Sequence, residues 1–325
     1  MAERSQDRVS LRRDSDSLES RSSVRFSRES ESLLDLHDPE NAQKPVDNIY
    51  EVRDLSVRDT EIDAQVCADN VFEVRNLSFS YPGEPLLKDI NFDIKRGKIT
   101  ALMGANGSGK STLFKLLTKN LKPGPGSHIL LEGRELATYR LSELARKVAV
   151  VWQHNTAPYD ITVRQLVAFG RVPHKQAFQS LTAKDEAAID EAIDFCDLHE
   201  VADKRVRELS GGQQQRVWIA LGLAQQTPVM FLDEPTTFLD VRYQVMILRL
   251  IRRLNRELGL TVVLILHDIN QSFELCDEII ALHPDGTLTQ GSPQELVDEG
   301  FLQRIYETEL RVGHIDEQVV VHAPL

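Results

Sequence analysis

Cysteine is scarce in this chain. Three occur in 325 residues, Cys67, Cys196 and Cys276, too widely spaced for a CxxC pair. An odd, scattered set excludes a disulfide framework and fits a reducing compartment. Long apolar runs are missing as well. A typical purely apolar stretch is Val262–Leu266, far short of the ~18–20 residues that span a bilayer. The Ser-, Arg- and Glu-rich N-terminus has no apolar h-region, so it is not a secretory signal. Any membrane role must then come through a partner. Basic charge is in deficit. Lys plus Arg number 38 against 50 Asp plus Glu, a net of −12. That balance argues against a nucleic-acid partner held by phosphate neutralisation.

What is present is ordinary for a globular protein: 41% apolar and 27% charged residues. The length allows one large domain or two of about 150 residues. The first 70 residues stand apart, with ten Lys/Arg against seventeen Asp/Glu, and interleave Ser with both charges. Such a segment buries too little apolar surface to offset the entropy of ordering. Residues 1–70 are read as a disordered acidic extension, and residues 311–325 as a C-terminal tail. Glu51–Val57 (EVRDLSV) is echoed by Glu73–Phe79 (EVRNLSF). Both have an edge strand's alternation, but only the second leads into the turn Tyr81-Pro82-Gly83.

From about residue 71 the pattern is α/β. Lys98–Met103, Lys147–Trp152, Val229–Asp233 and Thr261–His267 are short apolar runs. They suit parallel strands covered on both faces. Helical stretches are expected over 112–121, 183–198, 214–226 and 237–258. A hairpin around Pro284-Asp285-Gly286 and one final helix over about 293–307 follow.

Three segments carry chemistry. Gly104-Ala105-Asn106-Gly107-Ser108-Gly109-Lys110-Ser111 fits G-x-x-x-x-G-K-[ST]. It follows a strand-like run and opens a helix at Thr112, the context a phosphate-binding loop requires. Its glycines let the backbone amides turn inward, and the helix N-terminus adds positive dipole. Lys110 reaches the β- and γ-phosphates and the Ser111 hydroxyl ligates Mg²⁺. Val229–Glu234 is an apolar run ending in two carboxylates. Asp233 would hold Mg²⁺ and Glu234 would act on water as general base. Leu209-Ser210-Gly211-Gly212-Gln213 opens a second helix whose free amides suit an anion.

This string, lying between the phosphate loop and the Asp-Glu run, resembles the ATP-binding cassette (ABC) ATPases. The resemblance covers about residues 71–310. It implies a P-loop α/β fold with a mixed, mostly parallel core sheet, an N-terminal antiparallel β region and a helical insertion over about 154–225. By the same resemblance, Tyr81 stacks on adenine, and Gln153 joins the active site to a membrane partner and touches the metal. His267 bonds the γ-phosphate, and Asp240 lies in the loop that meets the opposite subunit. ATP and Mg²⁺ are the implied cofactors. A dimer of cassettes is implied, with Ser210 and Gly212 acting across it. Trp152 stands where many relatives have Pro, which frees the backbone torsion there.

Ile161–His174 and His267–Gln271, followed by Cys276-Asp277, resemble the iron–siderophore importer ATPases. Haem and cobalamin importers are close relatives. The implied assembly has separate permease subunits, an indirectly engaged substrate-binding protein, and a peripheral place on the cytoplasmic face of the plasma membrane. Alternatives are an ABC ATPase for another substrate or a soluble, non-transport ABC protein. Arg171 is expected on the permease-docking stretch, so that reversing its charge would weaken coupling more than ATP binding. Arg12-Arg13-Asp14-Ser15 resembles a basophilic kinase site.

Overall fold

The computed structural model describes residues 69–176, 179–316 and 318–324. Cys67, the Glu51–Val57 echo, Arg12–Ser15 and nearly all of the N-terminal extension lie outside the described residues.

β1 (Asn70–Tyr81) and β2 (Glu84–Lys95) form an antiparallel pair turned at Gly83, whose φ is 95°. β3 (Ile99–Met103) runs into the phosphate loop and then α1 (Lys110–Leu117). β4 (His128–Leu131), β5 (Arg134–Glu135) and α2 (Leu141–Leu144) precede β6 (Val148–Val151). Three helices follow: α3 (Val163–Ala168), α4 (Ala183–Phe195) and α5 (Gly211–Ala224). Then come β7 (Val229–Asp233), α6 (Val241–Leu258), β8 (Thr261–Ile265) and α7 (Ile269–Leu275). β9 (Glu278–Leu282), β10 (Leu288–Gly291), α8 (Pro293–Leu296) and α9 (Glu299–Tyr306) lead to β11 (Arg311–Ile315) and β12 (Gln318–His322).

The main sheet has the order β10-β9-β3-β8-β7-β6, parallel except for β10. Its strands alternate between two cores, as a pleat dictates. Phe231 and Val263 face one, with α1 and the four-stranded sheet β2-β1-β4-β5. Met230, Leu232, Val262 and Leu264 face the other, with the helices. α1 is clamped in the first core: Phe114 meets Phe231 edge-on at 5.3 Å, and Phe72 meets the same ring at 5.7 Å. The phosphate loop therefore leaves a fully buried strand and enters a buried helix.

Four local expectations change. β1 is not an edge. It lies between β2 and β4, and Phe72, Val74 and Leu77 are fully buried. The helix expected from 237 begins at Val241, because Asp240 caps it by accepting from Tyr243 N at 3.1 Å. Phe238 just before it has φ 64°, which no helix admits. The single final helix is two, each with its own cap, Ser292 and Asp298. The segment read as a tail carries the β11–β12 hairpin, with Val321 buried.

Candidate functional site

Parallel strands deliver the site residues to one edge, as open α/β sheets do. Gly104 follows β3, Gln153 lies just beyond β6, Asp233 ends β7 and Glu234 follows it, and His267 lies just beyond β8. Gly104 has φ 145°, and a Cβ there would come within 2.6 Å of the Leu282 carbonyl oxygen. Only glycine fits where the loop turns against β9. Gly109, with φ 102°, is the N-cap of α1.

Lys110 is buried, and its ammonium donates to the Gly104 and Ala105 carbonyls at 2.8 Å each. Burial pushes its pKa down, and the nearby Glu234 charge opposes this. Among the described residues, Ser108 Oγ is buried without a partner. A cleft of about 370 Å³ opens here, lined by Tyr81 and Leu86, by Asn106, Gly107 and Gly109–Thr112, and by Glu234 and His267. Tyr81 is about half exposed, and its hydroxyl lies 3.3 Å from Thr112 Oγ1.

Glu234 is the centre of the polar network. Its φ of 49° is unusual for a non-glycine residue, and such strain concentrates at functional sites. One carboxylate oxygen lies 2.6 Å from His267 Nε2. The other accepts from Gln153 Nε2 and from Thr237 Oγ1, the latter at 3.1 Å. Asp233 is driven above its usual range by burial and then by the charge of Glu234. Two adjacent carboxylates at the tip of a buried strand are a costly arrangement that a bound cation would relieve.

Trp152 is held by packing. Its ring lies 5.4 Å from Phe114, tying the Gln153 strand end to α1.

The structure thus brings the phosphate loop, Tyr81, Gln153, Asp233, Glu234 and His267 to one edge. Ser210–Gln213 and Asp240 do not line this cleft. Ser210 Oγ caps α5 by accepting from Gln213 N, and Gln213 Oε1 accepts from Ser210 N at 3.0 Å. A Cβ on Gly212 would come within 2.3 Å of the Tyr243 ring, so glycine there lets α5 approach α6. Arg171 is not a surface residue. It is 2% exposed and pairs with Asp185 at 2.9 Å, beneath the stretch expected to dock a partner.

The sequence reading missed Thr237 and Leu86. Thr237 stands three residues after Glu234, and the positive φ of Glu234 folds its hydroxyl back onto that carboxylate. No spacing rule announces such a turn.

A family model described as ABC transporter matches residues 87–237. The ferric enterobactin transport ATP-binding protein of Escherichia coli is 41% identical over 242 residues, covering 74% of this chain and 88% of that protein. The achromobactin transport ATP-binding protein of Dickeya dadantii is 38% identical over 235 residues, covering 72% and 87%. Among solved structures, a metal-chelate-type ABC transporter in an inward-facing conformation gives a TM-score of 0.68 at 27% identity. It covers 78% of this chain and 96% of that one. A bacterial ABC transporter cassette solved as a dimer gives 0.59 at 29% identity, over 68% and 98%.

Proposed function

The chain belongs to the ABC transporter family, and on that premise we propose that it is the ATP-hydrolysing subunit of an importer taking up a ferric chelate through a separate membrane permease. The observation that carries the chemistry is the Glu234 carboxylate, held by Gln153, His267 and Thr237 at the mouth of the phosphate-loop cleft. The names of the relatives, which concern ferric enterobactin and achromobactin transport, support the cargo.

In this reading the loop amides and Lys110 hold the triphosphate, and Tyr81 stacks on the adenine. Glu234 takes a proton from water as the water oxygen bonds to the γ-phosphorus. The bond to the β–γ bridging oxygen breaks, leaving ADP and phosphate. His267 bonds the γ-phosphate oxygens as charge builds on them.

The Ser111 hydroxyl, the Asp233 carboxylate and the Gln153 side-chain oxygen are hard oxygen donors, the chemistry that suits Mg²⁺, and they would hold it. Gln153 gives Glu234 its N–H, so its oxygen is left for that use. When bound, the ion supplies charge neutralisation at the phosphate oxygens.

A homodimer is part of the proposal. Ser210–Gln213 lie off their own chain's cleft, and Phe238 and Val241 beside Asp240 are 86% and 76% exposed. Two exposed apolar side chains so close to Asp240 in the sequence support an interaction surface there. No described helix is long and apolar enough to cross a membrane. A peripheral place on the cytoplasmic face, beneath the permease, follows from the proposal.

The test is Glu234→Gln. It should bind ATP normally, lose about 10²–10⁴-fold in turnover and accumulate as an ATP-bound dimer in size exclusion. Captured from native membranes with ATP and Mg²⁺, it should bring a multispanning permease. Wild-type turnover would show the base to be another residue. A cytosolic partner without a permease would overturn the transport reading.

A further inference from the structure

His267 is 49% exposed, so packing does not hold its ring. Its position is set by the contact with Glu234 and by the backbone that carries it, between the end of β8 and the start of α7. Asp268 caps α7, its Oδ1 accepting from Asn270 N at 2.8 Å and Gln271 N at 3.2 Å. Two further anchors then fix the helix from opposite sides. On one side Gln271 Oε1 accepts from the buried Thr236 hydroxyl at 3.2 Å, and its Nε2 donates to Gln244 at 2.9 Å. That ties α7 to the loop carrying Glu234.

On the other side lies the C-terminal hairpin. Asn270 Oδ1 accepts from Val321 N at 2.7 Å, and Asn270 Nδ2 donates to the Val321 carbonyl at 3.1 Å. One side-chain amide thus engages both backbone groups of one strand residue, as a neighbouring strand would. The hairpin is itself fixed, with Val321 buried and Val312 N donating to Glu299 Oε1 at 3.0 Å. The same C-terminal segment touches the site again. Tyr306, at the end of α9, lines a recess of about 300 Å³ with Gly104, Ala105, Asn106 and His267. Burial pushes its hydroxyl pKa up to about 12, and the Gly104 backbone opposes this, so it stays protonated.

We infer that α9 and the β11–β12 strands brace the reacting groups, with Asn270 on α7 taking that support to position His267 and Tyr306 on α9 positioning the start of the phosphate loop. The inference rests on the hydrolytic reading of His267 and Glu234. Small displacements of a reacting group lower the rate without abolishing ground-state binding.

The experiment is steady-state ATP hydrolysis by the full chain, with the number of ATP sites per chain measured in parallel. Asn270→Ala should lower kcat about five- to twenty-fold, with KM for ATP within two-fold and one ATP still bound per chain. Asn270→Asp keeps the acceptor for Val321 N but sets a carboxylate oxygen against the Val321 carbonyl, and should lower kcat at least as much as Asn270→Ala. Tyr306→Phe should raise KM more than it lowers kcat. In a His267→Ala background, single-turnover assays should show Asn270→Ala costing less than two-fold, because both act through one group. An unchanged kcat in both Asn270 variants, or an equal loss in the His267→Ala background, overturns the brace alone. Absence of Glu234-dependent turnover in the wild-type chain overturns the hydrolytic reading and the brace with it.

Discussion

Replacing Arg171 with Glu should unfold the helical region rather than uncouple it from a partner. The side chain is 3% exposed and that of Asp185 8%. Arg171 Nε donates to Asp185 at 2.9 Å, and its Nη1 donates to the Ala224 carbonyl at 2.7 Å and to Gln226 at 2.9 Å. One guanidinium therefore joins the 3-10 turn Phe169–His174 that follows α3, the start of α4 and the end of α5. Removing one partner of a buried ion pair costs about 3–5 kcal/mol. Each buried acceptor left unpaired adds about 1–3 kcal/mol. Against a net stability of about 5–15 kcal/mol, that sum approaches the whole. Reversal is worse than removal, since it sets two carboxylates together.

Acid behaviour adds a second readout. The Thr182 hydroxyl and amide, and then Arg171, hold the Asp185 carboxyl well below the usual carboxylate range. The folded pKa is thus the lower one, and on acidification the unfolded chain takes up the proton first. The contribution is complete above about pH 4 and is lost as pH falls further. Urea unfolding should show Arg171→Glu with a much lower midpoint. Arg171→Met paired with Asp185→Leu should recover part of the loss, since no carboxylate is left buried while the Ala224 carbonyl stays unpaired and Thr182 loses its acceptor, and should show weaker acid sensitivity below pH ~4. A wild-type urea midpoint for Arg171→Glu, with uptake abolished, would refute the structural argument and restore Arg171 as a docking residue.

Lys110→Ala should lose nucleotide affinity itself, seen as at least a ten-fold weaker Kd in equilibrium binding; unchanged affinity would exclude its phosphate contact. Thr237→Ala removes one hydroxyl from Glu234 and should lower kcat about three- to ten-fold with ATP affinity unchanged, as one hydrogen bond to a charged group implies. An unaltered kcat would show that Gln153 and His267 suffice. Gly212→Ala should destabilise by about 1–3 kcal/mol through collision with the Tyr243 ring, and Tyr243→Ala should restore the melting temperature; a wild-type melting temperature for Gly212→Ala alone would contradict the close approach of α5 to α6.

Motif order made much of this site legible, because its pieces are continuous strings that each need their own context. The phosphate loop needs a strand before it and a helix after it. Those flanks can be read from apolar runs such as Ile99–Met103. Contacts between distant strings could not be read. Phe114, Phe231 and Phe72 are 42 to 159 residues apart in the chain and give no local sign of sharing a core. Arg171 illustrates the same limit with a charge: only the position of Asp185 in three dimensions decides whether a basic residue faces a partner or a buried carboxylate.

The Ser210–Gln213 string shows where a motif reading needs a structural complement. Ser210 and Gln213 satisfy each other as a capping box, and Gly212 makes room for Tyr243. Each residue type therefore has a reason inside its own chain. Cap and close approach together fix the orientation of the α5 N-terminus relative to α6 and the Asp240 turn. A rigid helix end is what an anion-binding surface must offer, since its amides gain most when no reorganisation is needed. The local roles and the proposed action across a dimer are then two consequences of one geometry. Gly212→Ala tests their connection: displacing α5 should weaken ATP-driven dimerisation as well as lower the melting temperature, and Tyr243→Ala should restore both together.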